Sequence, residues 1–254
     1  MLTSQRKSLI LERLLRDGDV VAKTLSQEWA VSEDTIRRDL RELAQAGKLQ
    51  RVHGGALPAS PAAAPLEDRL HMASAEKLAL GKAGAAMVQP GQVVFLDGGS
   101  TAMQLAAQLD PHLRATFVTH SPSVAIALAA KPHLDIIVLG GTLYRHSMVH
   151  VGASVIESAQ RMRADIFFMG VTGVHPDVGL STANHEEAAV KRALHACAAE
   201  TVVLASPEKL GTASPFVVAP LPALSTLLVA AGTPTKMLNA LRATGVRVVM
   251  CPPV

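Results

Sequence analysis

The chain has 254 residues, 49% of them hydrophobic and 18% charged, which excludes global disorder and leaves ample material for a core. Its 24 lysines and arginines against 21 aspartates and glutamates give a net charge of +3, too small to announce a nucleic-acid partner except by its placement. Aromatics reach only 3%, so Ala, Val and Leu must fill the core, and two lone cysteines, Cys197 and Cys251, exclude a disulfide framework or cysteine zinc site and fit a reducing cytoplasm.

At the N-terminus, charges at Arg6, Lys7, Glu12 and Arg13 interrupt any apolar run, so no secretory leader is expected. Leu9, Ile10, Arg13, Leu14 and Arg16 predict an amphipathic helix that stops near Asp17-Gly18-Asp19, and a second helix is predicted over Ala22–Trp29. A third is better punctuated. Ser32 is a good N-cap, Glu33 and Asp34 suit the positive end of a helix dipole, and Gly47 is a natural stop. Ile36, Leu40 and Leu43 make one apolar face, while Asp34, Arg38 and Arg41 point away from it with Arg37 on its flank. Asp39 flanks the apolar face and is expected to bond a neighbouring arginine rather than read a base. Strand-like Lys48–His53 then runs into Gly54-Gly55, and helix, helix, helix, hairpin is the order of a winged helix-turn-helix over residues 1–56. A helix in the major groove presents one face, so its readers must cluster. Arg37, Arg38 and Arg41 do, Ser32 and Thr35 sit at the helix N-terminus, and Arg51 and His53 can follow the backbone from the wing. A solvated helix with local ion pairs such as Asp34–Arg38 is the plainer alternative.

Three prolines among small residues in Leu57–Pro65 predict an extended, semi-rigid connector, taken as residues 57–72. In residues 73–254, strands are predicted at Val93–Leu96, Thr116–Thr119, Ile136–Leu139, Ile166–Met169, Val202–Leu204, Leu227–Ala230 and Val246–Val249. Helices are predicted at Thr101–Leu109, Ser123–Ala130, Ala153–Met162, Glu186–Ala199 and Lys236–Ala243. Apolar strands alternating with helices give an α/β reading: a Rossmann-like, doubly wound sheet, larger than the N-terminal unit, with ligands beyond the strands' C-terminal ends. The uncharged stretch Gly211–Thr235 contains Pro215, Pro220 and Pro222 and is not expected to span a membrane.

The most informative loop is Asp97-Gly98-Gly99-Ser100-Thr101, where a strand meets glycines and hydroxyl residues open a helix. Backbone N–H groups, the helix dipole and the hydroxyls suit an anion, although such turns also occur for purely structural reasons. It is not a Walker loop, for no lysine follows, and no cofactor is expected. Thr119-His120, Gly140-Gly141, Gly170 and Lys209 end other strands in similar style. His146 and His150 are metal ligands only if helical and are otherwise surface or interface histidines. Glu186-Glu187 with Lys191 and Arg192 reads as a helix with i, i+4 pairs, a place at the pocket mouth for Glu187 or Lys191 being the alternative. Cys197 is read as core.

Val31-Ser32-x-x-Thr35-Ile36-Arg37-Arg38-Asp39-Leu40, followed by Leu43, Gly47, Leu49, Arg51 and His53-Gly54-Gly55-Ala56, resembles the DeoR/GlpR family of bacterial transcription regulators. The resemblance implies a C-terminal sensor domain similar to ribose-5-phosphate isomerase, glucosamine-6-phosphate deaminase and the CoA transferases. It implies phosphate-binding positions at Asp97–Thr101 and Lys209, with Asp165 and Gly170 at the isomerase-type catalytic site. Members usually carry Asn where His120 stands and Asp where Ser206 stands, so an acceptor for sugar hydroxyls is lost and His120 offers a donor or a pH-sensitive charge. The function implied is a repressor of carbohydrate or nucleoside catabolism genes, bound to double-stranded operator DNA and relieved by a phosphorylated sugar or related metabolite. A homodimer or homotetramer is expected, since paired half-sites multiply affinity. The rival is a sugar-phosphate isomerase or deaminase fused to a DNA-binding module. Asp165–Gly173 is apolar where such isomerases place several acids, which favours sensing over turnover and a protein that is not an enzyme.

Overall fold

A computed structural model describes residues 1–252. The chain opens with α1 (Thr3–Asp17), β1 (Val20–Val21), α2 (Ala22–Glu28), α3 (Glu33–Gln45), β2 (Leu49–Val52) and β3 (Gly55–Pro58). Ile10, Leu14, Leu25, Ile36, Leu40 and Leu49 converge as the core of this winged helix-turn-helix. The wing is a three-stranded sheet rather than a plain hairpin, because Val20 and Val21 pair with Ala56 and Gly55. Two residues are too few to show a period-2 pattern, so this strand left no mark in the sequence. Asp39 is sealed from solvent and accepts both hydrogen bonds of the Arg6 guanidinium, one of them at 3.1 Å. Its arginine is a neighbour in space, on α1, not along α3.

The segment 57–72 is not an extended spacer. Leu57 and Pro58 complete β3, residues Pro61–Ala63 make a 3-10 turn capped by the Ser60 hydroxyl, and α4 (Leu66–Leu70) follows. Ser60, Ala62, Leu66 and Arg69 are buried. The Ser60 hydroxyl donates to the Thr172 carbonyl, the Leu66 N–H donates to the His146 carbonyl at 2.9 Å, and Ala59 bridges Ala213. Proline content constrains backbone dihedrals but carries no information about burial, which is why composition suggested an extended, semi-rigid connector.

After α5 (Ser74–Ala85) the chain runs β4 (Val93–Leu96), α6 (Ser100–Gln108), β5 (Thr116–Thr119), α7 (Pro122–Ala129), β6 (Asp135–Val138), β7 (Thr142–Tyr144), β8 (Val149–Val151) and α8 (Ala153–Gln160). It continues with β9 (Ala164–Met169), β10 (Gly173–His175), β11 (Gly179–Thr182), α9 (His185–Ala196), β12 (Ala198–Ala205), β13 (Phe216–Ala219), β14 (Thr226–Val229), α10 (Thr235–Ala243) and β15 (Val248–Met250). Seven strands form one parallel sheet in the order β15-β14-β12-β9-β4-β5-β6. All seven predicted strands lie in it. Alternate side chains separate two cores: Val94, Leu96, Ile166 and Phe168 pack with Leu80, Leu105 and Val124 of α5, α6 and α7. Phe95, Phe167 and Val203 face the other way, with Val155, Val190 and Leu241 of α8, α9 and α10. Strand order reverses between β4 and β9, the switch point where sheets of this kind leave a crevice.

Three features differ from expectation. α5 has mixed small and polar residues with no clear apolar stripe, and Gly81 and Gly84 bring it against α6 and β12. The short antiparallel pairs β7–β8 and β10-β11-β13 were not predicted at all. His146 and His150 lie in and after the β7–β8 turn, not on a helix: His146 Nε2 is 2.8 Å from the Ala63 carbonyl and His150 Nδ1 is 3.0 Å from that of Leu139. Among the described residues no helix is long and apolar enough to cross a membrane.

Replacing Asp39 with Ala leaves the Arg6 guanidinium buried without its counter-charge, a change that typically costs about 3 kcal/mol or more. Trp29, the single tryptophan, packs against this core, so urea unfolding followed by its fluorescence should show the Asp39→Ala transition shifted to lower denaturant by about that amount.

Candidate functional site

Two surfaces concentrate polar side chains. The first is the outer face of α3 with the wing. Ser32 caps the helix by accepting the Thr35 N–H at 3.2 Å, and its hydroxyl lies 2.8 Å from that of Thr35. Arg38 and Arg41 are exposed on the face opposite Ile36, Leu40 and Leu43, Arg37 is exposed on its flank, and Arg51 and His53 are exposed on the wing. The expected Asp34–Arg38 pair does not form; Arg37 instead meets Glu33 at 2.7 Å. Arg38 and Arg41 make no ion pair among the described residues, so two guanidinium groups stand free on one helical face. Of the seven candidate DNA-contact residues, Thr35 is half-buried and the other six are exposed.

The second is a cavity of about 40 Å³, partly open to solvent, at the β4–β9 switch point. Its floor is the Gly98-Gly99-Ser100-Thr101 turn and the end of β9 at Met169-Gly170. The turn needs its glycines for different reasons. Gly99 has φ 111°, a conformation side chains rarely adopt, and a Cβ on Gly98 would come within 2.3 Å of Val149. The walls carry Arg69 from α4, Lys77 from α5, Lys191 and Glu187 from α9, and Glu208 and Lys209 from the turn after β12. Four of the lining side chains are thus cationic at neutral pH and two are carboxylates, with Asp97 directly behind. Lys77 reaches Glu208 at 3.3 Å and donates to the Arg69 carbonyl at 2.8 Å. Lys191 reaches Asp97 at 2.7 Å. Ser206 is buried and donates to Glu208 at 2.7 Å, so the residue found in place of the usual acid holds the neighbouring one.

Three buried polar atoms of residues around this space have no partner among the described residues: Arg69 Nε, Thr101 Oγ1 and Glu208 Oε2. Unpaired buried groups are costly, and here two donors and an acceptor are left ready for something polar. Burial pushes the Arg69 and Lys77 cations down from their ordinary ranges, with the nearby carboxylates opposing it. Burial also brings Lys209 down to about 8, Glu208 opposing and Lys77, Arg69 and Lys191 adding to the effect. Crowded cations of this kind are stabilised by an arriving anion.

Of the residues predicted around an effector, Gly98, Gly99, Ser100, Thr101, Gly170 and Lys209 line this cavity. Asp97 and His120 lie behind its wall and pair with each other at 2.7 Å. Thr119 is buried and caps the following turn through Ser121 N–H at 3.1 Å. Gly140 and Gly141 are exposed in the connection from β6 to β7, away from this cavity; a Cβ on Gly141 would meet Val155 and Val151, whereas Gly140 has open space around it. Asp165 stands near the start of β9, at the opposite end of that strand from the cavity, and accepts the Val93 N–H at 2.7 Å. Sequence reasoning missed Arg69 and Lys77 altogether and named Glu187 and Lys191 only as an alternative. A lysine and arginine eight residues apart, in short helices without periodic signal, give no cue that both are buried.

The sequence profile described as "DeoR-like helix-turn-helix domain" matches residues 6–61, and that described as "DeoR C terminal sensor domain" matches residues 72–230. The "Putative aga operon transcriptional repressor" of Escherichia coli O157:H7 is 31% identical over 98% of this chain and 94% of its own. The "HTH-type transcriptional regulator GlpR" of Haloferax volcanii is 33% identical over 84% of each chain. The "Glycerol-3-phosphate regulon repressor" of Escherichia coli K12 is 32% identical over 76% of this chain and 77% of its own. Among solved structures, the full-length sorbitol operon regulator SorC from Klebsiella pneumoniae covers 92% of this chain and 98% of its own at 12% identity, with a TM-score of 0.40, a likeness too loose to carry weight.

If the Lys209 ammonium contributes to anion binding, affinity for sulfate, which keeps its double charge throughout, should be full below about pH 8 and fall as pH rises through that value. Lys209→Met should weaken sulfate binding at neutral pH and flatten this alkaline fall; titration calorimetry at several pH values checks both.

Proposed function

Because the chain belongs to the DeoR family of helix-turn-helix regulators, we propose that it represses carbohydrate or nucleoside catabolism genes and releases its operator when a phosphorylated sugar or related metabolite binds. Residues 1–56 read double-stranded DNA, residues 57–72 connect, and residues 73–254 sense the effector. Ser32, Thr35, Arg37, Arg38, Arg41, Arg51 and His53 contact the operator. The effector's phosphate sits on the turn 98–101 with Lys209, joined by Arg69, Lys77 and Lys191. The protein acts in the cytoplasm as a homodimer or homotetramer, two recognition helices meeting two half-sites. The regulator names of its relatives remove the rival of an enzyme fused to a DNA-binding module.

The observation that carries the effector half of this reading is the set of unpaired buried atoms Arg69 Nε, Thr101 Oγ1 and Glu208 Oε2 around one small space. Two donors match phosphoryl oxygens and the lone carboxylate oxygen matches a sugar hydroxyl. The segment 57–72 supplies the route to DNA. Ala62 and Arg69 line the cavity, and the same stretch runs unbroken into the wing strand β3. An effector acts only by favouring one arrangement of that stretch over another, and a tenfold change in operator affinity takes about 1.4 kcal/mol of such preference.

Arg38→Ala should weaken operator binding by about 1–3 kcal/mol and blunt sequence preference, with the thermal shift given by phosphorylated sugars intact. An unchanged footprint on the chain's own upstream region would exclude the α3 face as the reader. Arg69→Met should do the reverse, keeping the footprint while losing most of its release by the sugar phosphate that shifts the wild type.

A further inference from the structure

Asp97 has no exposed surface and yet meets four donors. Its Oδ1 accepts the Gly98 N–H at 2.8 Å and lies 2.7 Å from His120 Nε2; its Oδ2 accepts the Gly170 N–H at 2.8 Å and the Lys191 ammonium at 2.7 Å. Burial alone would push this carboxyl up, but the Lys191 charge and the His120 bond hold it well below the usual carboxylate range. It is ionised and can only accept. The other ring nitrogen of His120, Nδ1, lies 2.7 Å from the His150 carbonyl, which also can only accept. His120 is itself fully buried, and the His150 ring turns away to the Leu139 carbonyl. A neutral imidazole has one donor and one lone pair, so it would aim that lone pair at an oxygen. Only the doubly protonated ring satisfies both contacts.

We propose that His120 is held as an imidazolium behind the effector cavity, as a positioning residue that fixes Asp97 and adapts the site to a doubly charged phosphoryl group. Through Asp97 it sets the Gly98 and Gly170 backbone and the Lys191 ammonium, all of which reach the cavity. It also changes the charge balance. Arg69, Lys77, Lys191 and Lys209 with His120 outnumber Asp97, Glu187 and Glu208 by two positive charges, the complement of a phosphate monoester dianion. Asparagine, the residue the family resemblance leads one to expect here, would offer Asp97 an amide donor but no charge. The inference rests on the effector-site reading above.

The test uses the full-length protein with nitrogen-15-labelled histidine, the His120 ring being assigned through its bonds to the backbone. Both His120 ring nitrogens are expected in the protonated range at neutral pH. A lone-pair-bearing nitrogen in that ring overturns the proposal without any variant having to fold. Sulfate then serves as the dianion probe by calorimetry: His120→Asn and His120→Gln should each bind it at least about fivefold more weakly than wild type, the lower end of typical coupling between linked groups. Wild-type affinity in a folded variant overturns the role in tuning the site. Failure of the wild type itself to bind sulfate counts instead against the anion site, and the ring nitrogens still decide the state of His120.

Discussion

The sensor domain turns on one carboxylate kept from water. Asp97 stands where β4 ends beside β9, and an unpaired ion there would cost several kcal/mol after every relaxation open to it. Two backbone amides, an ammonium and an imidazole occupy its oxygens. Each donor comes from a different part of the chain: the turn after β4, the end of β5, the end of β9 and helix α9. The bonds therefore do more than offset burial. They fix the mutual positions of the strand ends that form the cavity floor, and they leave Lys191 on the wall with its charge already partly balanced. The lining side chains that keep a buried polar atom without a partner among the described residues are those of Arg69, Thr101 and Glu208.

That division explains what the sequence could reveal. Buried parallel strands are continuous apolar runs, and all seven were legible because few other elements produce four such residues between turn signals. The recognition helix was legible because Ser32, the Ile36–Leu40–Leu43 stripe and Gly47 agree on one start, one face and one stop. The glycine turn at Asp97–Thr101 was legible as a type of loop, but its acid, read as a ligand contact, lies behind the cavity wall. A carboxylate at the end of a strand looks the same in sequence whichever way its side chain points. Gly140-Gly141 reads alike for a related reason: glycine marks close approach or unusual backbone, and at Gly141 the approaching groups are Val155 and Val151, away from the cavity. Asp39 was placed correctly as structural, yet its partner Arg6 lies 33 positions away on another helix. Nothing local encodes a pairing across that separation.

The connector is the instructive failure. Prolines and alanines from Leu57 to Pro65 resemble a spacer, and a spacer would let the two domains move without consulting each other. Packed as it is, with Ser60 on Thr172, Leu66 on His146 and Arg69 in the cavity wall, this stretch is part of the sensor domain's covering. A space of about 40 Å³ holds a few waters, far below the roughly 300 Å³ or more of ordinary small-molecule pockets. A ligand of ordinary size needs more room than this or projects through the opening. The walls made by β4, β9 and α9 are tied to Asp97 and to two packed cores, whereas the 57–72 cover is held by a few hydrogen bonds and five buried side chains. The cover is the element with least to lose. Because it continues directly into β3, a shift of the cover reaches a strand of the wing that carries Arg51 and His53.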